Sequence, residues 1–271
     1  MIMRAWQEDE PFAFDGKYNQ LRYVNCWPKP IQKPHPPIYI PGGGSIETWD
    51  FCVEHDYNYA YLSFGGFVAG KALMDGYWER VAAIAPDESP YRGAFAQIIC
   101  VADTDAEAEE LYAEHILYFY NRCLHVAPEF SDPPGYRTVK TIRAGKLDQL
   151  RAESQKVFAN LTWGDLVDNG FVIAGSVDTV RERCEEMIKS LHVGHVFGLF
   201  HMGNMPDWKT RRSTKLFAEQ VMPALRDIWS KDWKDDDRWW IHPYDGRVRA
   251  EDSLPGGERD AHAHRITPEG R

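Results

Sequence analysis

Residues 38–45, Ile38-Tyr39-Ile40-Pro41-Gly42-Gly43-Gly44-Ser45, pass from an apolar run directly into three glycines and a serine. A short apolar run stopped by glycine reads as a buried strand meeting a tight turn. Beyond it Trp49, Cys52 and Val53 recur at helical spacing, and Ser45 stands where a helix N-cap belongs. The unit is therefore strand, glycine turn, helix. Upstream, the prolines between positions 27 and 37 force an extended, ladder-free approach to this strand. Earlier still, Asp15-Gly16 between aromatic residues predicts a short hairpin, and the opening residues through Trp6 read as the last turns of a helix whose start is absent.

The same alternation repeats downstream. Residues 57–64 form a second strand closing at Gly65-Gly66, with a helix over 69–85. Residues 95–101 are apolar almost without interruption, and Thr104-Asp105-Ala106-Glu107 opens a long helix with acids in its first turn, as the helix dipole favours. A Pro- and charge-rich stretch over 125–162 is predicted to be an insertion with a short helix at 146–159, placed where a lid would lie. Residues 171–176 then lead through a capping Ser176 into a helix with Val177, Val180, Cys184, Met187, Ile188 and Leu191 on one face. A last strand over 195–200 precedes a helix over 213–229. Strand–helix alternation of this kind implies an α/β fold with a parallel sheet. About four units are legible, half of what an eight-stranded (β/α)8 barrel needs. The body is expected over residues 1–230. Residues 231–271, acidic and glycine-rich, are expected to be a disordered or loosely docked tail, with Trp239-Trp240 as a possible pin.

Composition narrows the function. The 271 residues are 44% hydrophobic and carry a net charge of −10, a balance that disfavours phosphate backbones and anionic membranes. The five cysteines are widely spaced and contain no Cys-x-x-Cys pair, so they read as reduced thiols rather than a zinc or redox motif. The uncharged stretch near 192–206 is glycine-rich and shorter than the ~20 apolar residues a spanning helix needs. The expectation is a soluble cytoplasmic protein. No metal is expected either, because His192, His195 and His201 precede, begin and follow one strand and do not converge. His262 and His264 lack a third partner in sequence, and His35 in the proline segment reads as structural.

Several stretches resemble the luciferase-like flavin-dependent monooxygenases. They are Glu10-Pro-Phe-Ala-Phe-Asp-Gly-Lys-Tyr18, Pro28-Lys-Pro-Ile-Gln-Lys-Pro-His-Pro-Pro-Ile38, Pro41-Gly-Gly-Gly-Ser-Ile-Glu-Thr48, Ala102-Asp-Thr-Asp-Ala-Glu-Ala108, Ile173-Ala-Gly-Ser176 and Leu216-Phe-Ala-Glu-Gln-Val-Met-Pro223. They follow the family's order over roughly residues 4–226. The resemblance implies a TIM barrel of which these units correspond to strands five to eight, with no counterpart of the first half. It also implies an oxidoreductase using reduced FMN and oxygen on a small organic substrate, or a deazaflavin in a sister branch. A separate flavin reductase is an expected partner. A chain with this half alone is expected to be inactive and to pair, with another copy or with the missing N-terminal half. The rival reading is a non-catalytic flavin- or phosphate-binding half-barrel.

The candidate site residues follow from strand ends and resemblance together. Gly43, Gly44 and Ser45 offer unblocked backbone N–H groups at a positive helix end, which suits a phosphate, and by resemblance they hold the flavin phosphate. The bland alternative is a tight turn with a capping serine. Ser63 and Phe64 end the second strand and are placed on the pocket wall, Ser63 beside the cofactor and Phe64 beside the substrate. Met202 and Asn204, after the last strand, are candidates for substrate contact, and His201 is the candidate acid or base. Each also has an ordinary structural reading as a loop or core residue.

Overall fold

In a computed structural model the described residues are 1–32, 35–62, 64–85, 87–124, 135, 138–144 and 161–233. The expected helix over 146–159, the tail beyond 233 and Trp239-Trp240 lie outside them. Met1–Ile38 and Tyr39–Lys234 form separate compact units.

The first unit holds helix α1 (Ile2–Gln7) and the expected hairpin, β1 (Phe12–Asp15) against β2 (Gln20–Val24) in antiparallel register. Lys29 donates to the carbonyls of Ala5 (3.0 Å) and Glu8 at the end of α1, where the helix dipole favours a cation. His35 stacks on Trp6.

The second unit is an α/β body. Its elements are β3 (Tyr39–Gly42), α2 (Ile46–Glu54), β4 (Asn58–Leu62), α3 (Gly66–Ile84), β5 (Gly93–Ala102) and α4 (Asp105–Tyr118), then α5 (Val139–Ala144), α6 (Trp163–Asp168), β6 (Val172–Ser176) and α7 (Val177–Leu191), and finally β7 (His195–Leu199), α8 (Asp207–Leu216) and α9 (Met222–Leu225). β3 pairs β4, and the longest strand, β5, pairs β4, β6 and β7, all in parallel. A strand has two edges, so three partners must share them. β4 and β7 overlap along residues 94–96 of β5 and therefore lie on opposite edges. β6 takes the upper part of the β4 edge from Ile98 onward, consistent with the backbone bond from Phe67 at the start of α3 to Gly170 just before β6. On the other edge β7 ends opposite Ile98, and the Ser213 hydroxyl of α8 accepts the Val101 N–H at 2.9 Å.

Both faces of β5 are packed, which accounts for its unbroken apolar sequence. Phe95, Ile99 and Val101 join a core with Trp49, Tyr59, Tyr77, Val180 and Leu191 from β4 and helices α2, α3 and α7. Ile98, Cys100 and Ala102 join a second core with Tyr112, Ile116, Leu166, Val172 and Met202. Gln97 is buried between them and donates to the carbonyls of Gly170 and Phe171, which ties β6 to β5.

The row β3-β4-β5-β7 is curled. Its outer strands are three spacings apart, about 14 Å in a flat sheet. Yet the Tyr39 ring lies 5.3 Å from both His195 and Phe197 of β7. Side chains on one face converge like this only when that face is concave. Among the described residues β3 does not pair β7, so the sheet does not close on itself.

Two helix expectations shift. α3 starts at Gly66 rather than Ala69, and the closing helix starts at Asp207, where weak apolar periodicity conceals it. That helix then widens into a π-turn over Phe217–Val221 before α9. Pro223 lacks the N–H that would bond back to Glu219, so the regular ladder fails there.

Replacing Ser213 with Ala leaves the buried Val101 N–H without its acceptor. The expected cost is about 1–3 kcal/mol of unfolding free energy, read by urea denaturation with tryptophan fluorescence. No measurable change would mean another acceptor takes the group.

Candidate functional site

Tyr59 builds the glycine turn from beneath. Its hydroxyl donates to the Gly42 carbonyl at 2.9 Å, and burial raises the phenol above its ordinary range, so it stays a donor. A Cβ at Gly42 would lie 2.7 Å from the Tyr59 ring, which is why glycine is required there. Gly44 turns the chain at φ +103°, a region that side chains disfavour. Gly43 differs from both. A Cβ there would meet no atom within 4 Å, so its side of the turn is open.

Ser45 occupies the N-cap position of α2 but does not cap it. Its hydroxyl donates to Glu47 Oε2 at 2.9 Å instead. Glu47 also accepts from Thr138 (2.6 Å) and Thr141 (2.8 Å), at the N-terminal end of α5. The Thr138 hydroxyl, opposed by partial burial and joined by Thr141 and Ser45, holds the Glu47 carboxyl at about 2, below its ordinary 4.5. A second tether runs from Lys140 of α5 to Asp50 of α2 at 2.8 Å, and Asp50 also binds Arg80 of α3. Burial opposes ionisation of Asp50, but Lys140 and Arg80 override it and keep it below the usual carboxylate range.

The other candidates engage different elements. Ser63 lies outside the described residues. Phe64 packs on Phe119 with ring centroids 5.5 Å apart, at the margin of the second core. Met202 is buried in that core. Asn204 Oδ1 lies 2.7 Å from His115 Nδ1, and Lys209 donates to the opposite ring nitrogen of His115 at 3.0 Å. That pairing fixes His115 as the Nδ1–H tautomer, donating to Asn204. His201 is exposed beside the Thr210 hydroxyl at 3.1 Å. Residues 201–204 thus make their contacts with α4 and α8, while Gly43, Gly44 and Ser45 are gathered with Glu47, Thr138 and Thr141.

Two further features define the surroundings. On the concave face, near the start of the strands, Tyr39 lies 3.4 Å from His195 Nδ1, and Asn58 is buried beside Tyr39. Farther along that face Leu62 and Phe197 are 45% and 40% exposed, apolar surface on the concave side. Burial pushes the thiols of Cys52, Cys100 and Cys184 up to about 12, which leaves them unsuited to nucleophilic work. No described helix is long and apolar enough to cross a membrane, and no group of metal-ligating side chains occurs among the described residues.

The sequence profile of the luciferase-like monooxygenases matches residues 1–193. The chain belongs to this family. Similar solved structures include the oxygenating constituent of 3,6-diketocamphane monooxygenase from Pseudomonas putida, in complex with FMN, at 22% identity and TM-score 0.55, covering 83% of this chain and 60% of that one. Monooxygenase RslO1 from Streptomyces bottropensis is similar at 15% identity and TM-score 0.53, covering 82% and 58%. The coenzyme F420-dependent tetrahydromethanopterin reductase from Methanopyrus kandleri is similar at 16% identity and TM-score 0.52, covering 83% and 60%. These likenesses support the fold, a parallel α/β sheet of the luciferase-like TIM-barrel kind. The luciferase-like chain described here spans about six-tenths of the length of these structures. Both FMN and the deazaflavin F420 occur among the cofactors of its structural neighbours.

Sequence reasoning reached the glycine turn but not its partner. Glu47 reads as an ordinary first-turn acid, and Thr138 and Thr141 lie more than ninety positions away with no motif to flag them. The carboxylate carries a pH signature. Its folded value lies below its unfolded one, so the unfolded chain takes up the proton first as pH falls. The stability it contributes is complete above about 4.5 and is lost toward about 2. Thermal melts should therefore show Glu47→Gln destabilised near neutral pH and converging with the wild type at the acid end of that window.

Proposed function

We propose that this chain is a flavin-dependent oxidoreductase of the luciferase-like family, acting with reduced FMN and oxygen on a small organic substrate. The observation that carries the reading is the open Gly43 side of the glycine turn, at the C-terminal end of a parallel strand and the start of α2. The C-terminal ends of parallel strands are where barrel and open-sheet proteins place their ligands. The turn fits a phosphoryl group on that side: there is no side chain in the way, the helix end is positive, and Gly44 and Ser45 complete the curve. On the other side it meets the Glu47 carboxylate.

In this reading Gly43, Gly44 and Ser45 hold the FMN phosphate, and Leu62 and Phe197 offer apolar surface that shields the ring system from water. Bound reduced flavin supplies the electrons that activate oxygen, while the protein positions the substrate and excludes solvent. Met202, Asn204 and Phe64 act at one remove, holding the loops that border the site. The likeness to an F420-dependent reductase keeps a deazaflavin as a second reading, with hydride transfer in place of oxygen chemistry. A separate reductase would supply reduced FMN in the first case.

The test is titration of the purified chain with FMN and with riboflavin, which differ only in the phosphate. FMN is expected to bind more tightly, and Gly43→Val with Ser45→Ala to weaken FMN about tenfold or more while leaving riboflavin unchanged, since ~1.4 kcal/mol of lost phosphate contact is a factor of ten. Equal affinity for both ligands in the wild type removes the phosphate assignment. Saturation by F420 with no response to FMN selects the second reading.

We infer also that β3, β4, β5 and β7 correspond to strands five to eight of a (β/α)8 barrel. The outer edges of β3 and β7 have no strand partner among the described residues, and such edges seek pairing. Sedimentation velocity is expected to show a species larger than one chain, and a monomer with cooperative unfolding counts against the inference.

A further inference from the structure

The hydroxyl of Ser45, needed at the phosphoryl side of the turn, is already engaged. It donates to Glu47, whose two carboxylate oxygens also take the hydroxyl protons of Thr138 and Thr141. Thr141 is buried, and its backbone N–H bonds to the Thr138 hydroxyl oxygen at 3.2 Å, so the two threonines present their protons as one unit. One carboxylate thus joins the glycine turn to α5 across the first turn of α2. A phosphoryl anion arriving at Ser45 asks for the same donor and brings a like charge beside Glu47, and each effect disfavours the other's arrangement.

We propose that Glu47 is a latch between the glycine turn and α5: it holds Ser45 and the two threonines together in the form seen here, and a phosphoryl ligand seated at the turn releases α5. This inference rests on the reading of the turn as the phosphate seat and adds a positioning residue to it. Coupling of this kind is reciprocal. If docked α5 opposes the anion, the bound anion must loosen α5 to the same extent. The Lys140–Asp50 pair lies one turn further along the same face of α2 and does not involve Ser45. It remains as a hinge when the Glu47 contacts open, so release is a swing of α5 rather than its loss.

Two measurements on the full chain test the latch. Titration of wild type and Glu47→Gln with FMN and riboflavin should show the preference for FMN rising about fivefold or more in the variant, the low end of ordinary coupling between sites. In the wild type, saturating FMN but not riboflavin should speed trypsin cleavage after Arg143, farther along α5 from the Lys140 hinge, since cleavage follows local opening. The second measurement needs no substitution and stands if the variant fails to fold. A wild-type preference for FMN that Glu47→Gln leaves unchanged, or cleavage that FMN does not alter, overturns the latch and leaves the seat intact. No preference for FMN in either protein overturns the seat and the latch together.

Discussion

The pairing of β5 along both edges organises this body. With β4 and β6 sharing one edge and β7 and the Ser213 hydroxyl completing the other, the ten-residue strand satisfies its backbone while burying both faces. A buried N–H left unpaired costs more than an ordinary hydrogen bond returns, so each neighbour of β5 is constrained in length as well as position. β7 can stop opposite Ile98 only because α8 supplies Ser213 above it. α8 in turn can approach because the loop before it is tied to α4 through Asn204, His115 and Lys209. This is why residues 201–204 have supporting contacts of their own, although they follow a strand end where a reacting group would be sought.

Curling follows from the same arrangement. Right-handed twist accumulates across parallel strands, and the wall of α2, α3 and α7 packs only one side of the row. The opposite side turns concave, which brings Tyr39 against His195 and Phe197 from the far strand. That contact fills the lower part of the hollow and leaves Leu62 and Phe197 with much of their surface open above it. The glycine turn, at the end of β3, borders the same hollow. An open glycine turn beside apolar surface is the pairing on which the proposed flavin site rests, since a flavin is anionic at one end and aromatic at the other.

The parts of this fold that were legible in the sequence are those set by neighbours within a few positions. Strand β5 declared itself by an apolar run, the hairpin by Asp15-Gly16, and α4 by a Thr104 hydroxyl that does accept from the Glu107 N–H. Ser176 caps α7 in the same way. Ser45 has the identical local signal, yet its hydroxyl goes to Glu47. No rule of spacing separates the two cases, because what differs is distant. Ser176 finds Asp105 ready to take its backbone N–H and the Thr179 hydroxyl, leaving its own hydroxyl free to cap. Ser45 lies next to a carboxylate that α5 has already oriented. The sharing of one β5 edge by β4 and β6 was hidden for the same reason, since the register that sets Val172 opposite Ile98, 74 positions earlier, is written in packing and not in either strand alone.

That contrast bears on how the candidate site should be read. A serine that caps a helix spends its lone pair on the backbone and keeps its proton available. Ser45 does the reverse, giving its proton to Glu47, so it does not cap α2, and the Glu47 N–H turns to its own carboxylate. An uncapped helix start beside an open glycine is the condition under which an anion gains most from binding. The carboxylate that holds Ser45 therefore does two opposed things. It keeps the Ser45 hydroxyl off the helix end, and it places a negative charge where a ligand's own charge would come. A glutamine at position 47 lacks the charge while its amide oxygen can still take the Ser45 proton, so the charge effect alone is lost and the affinity for an anion rises.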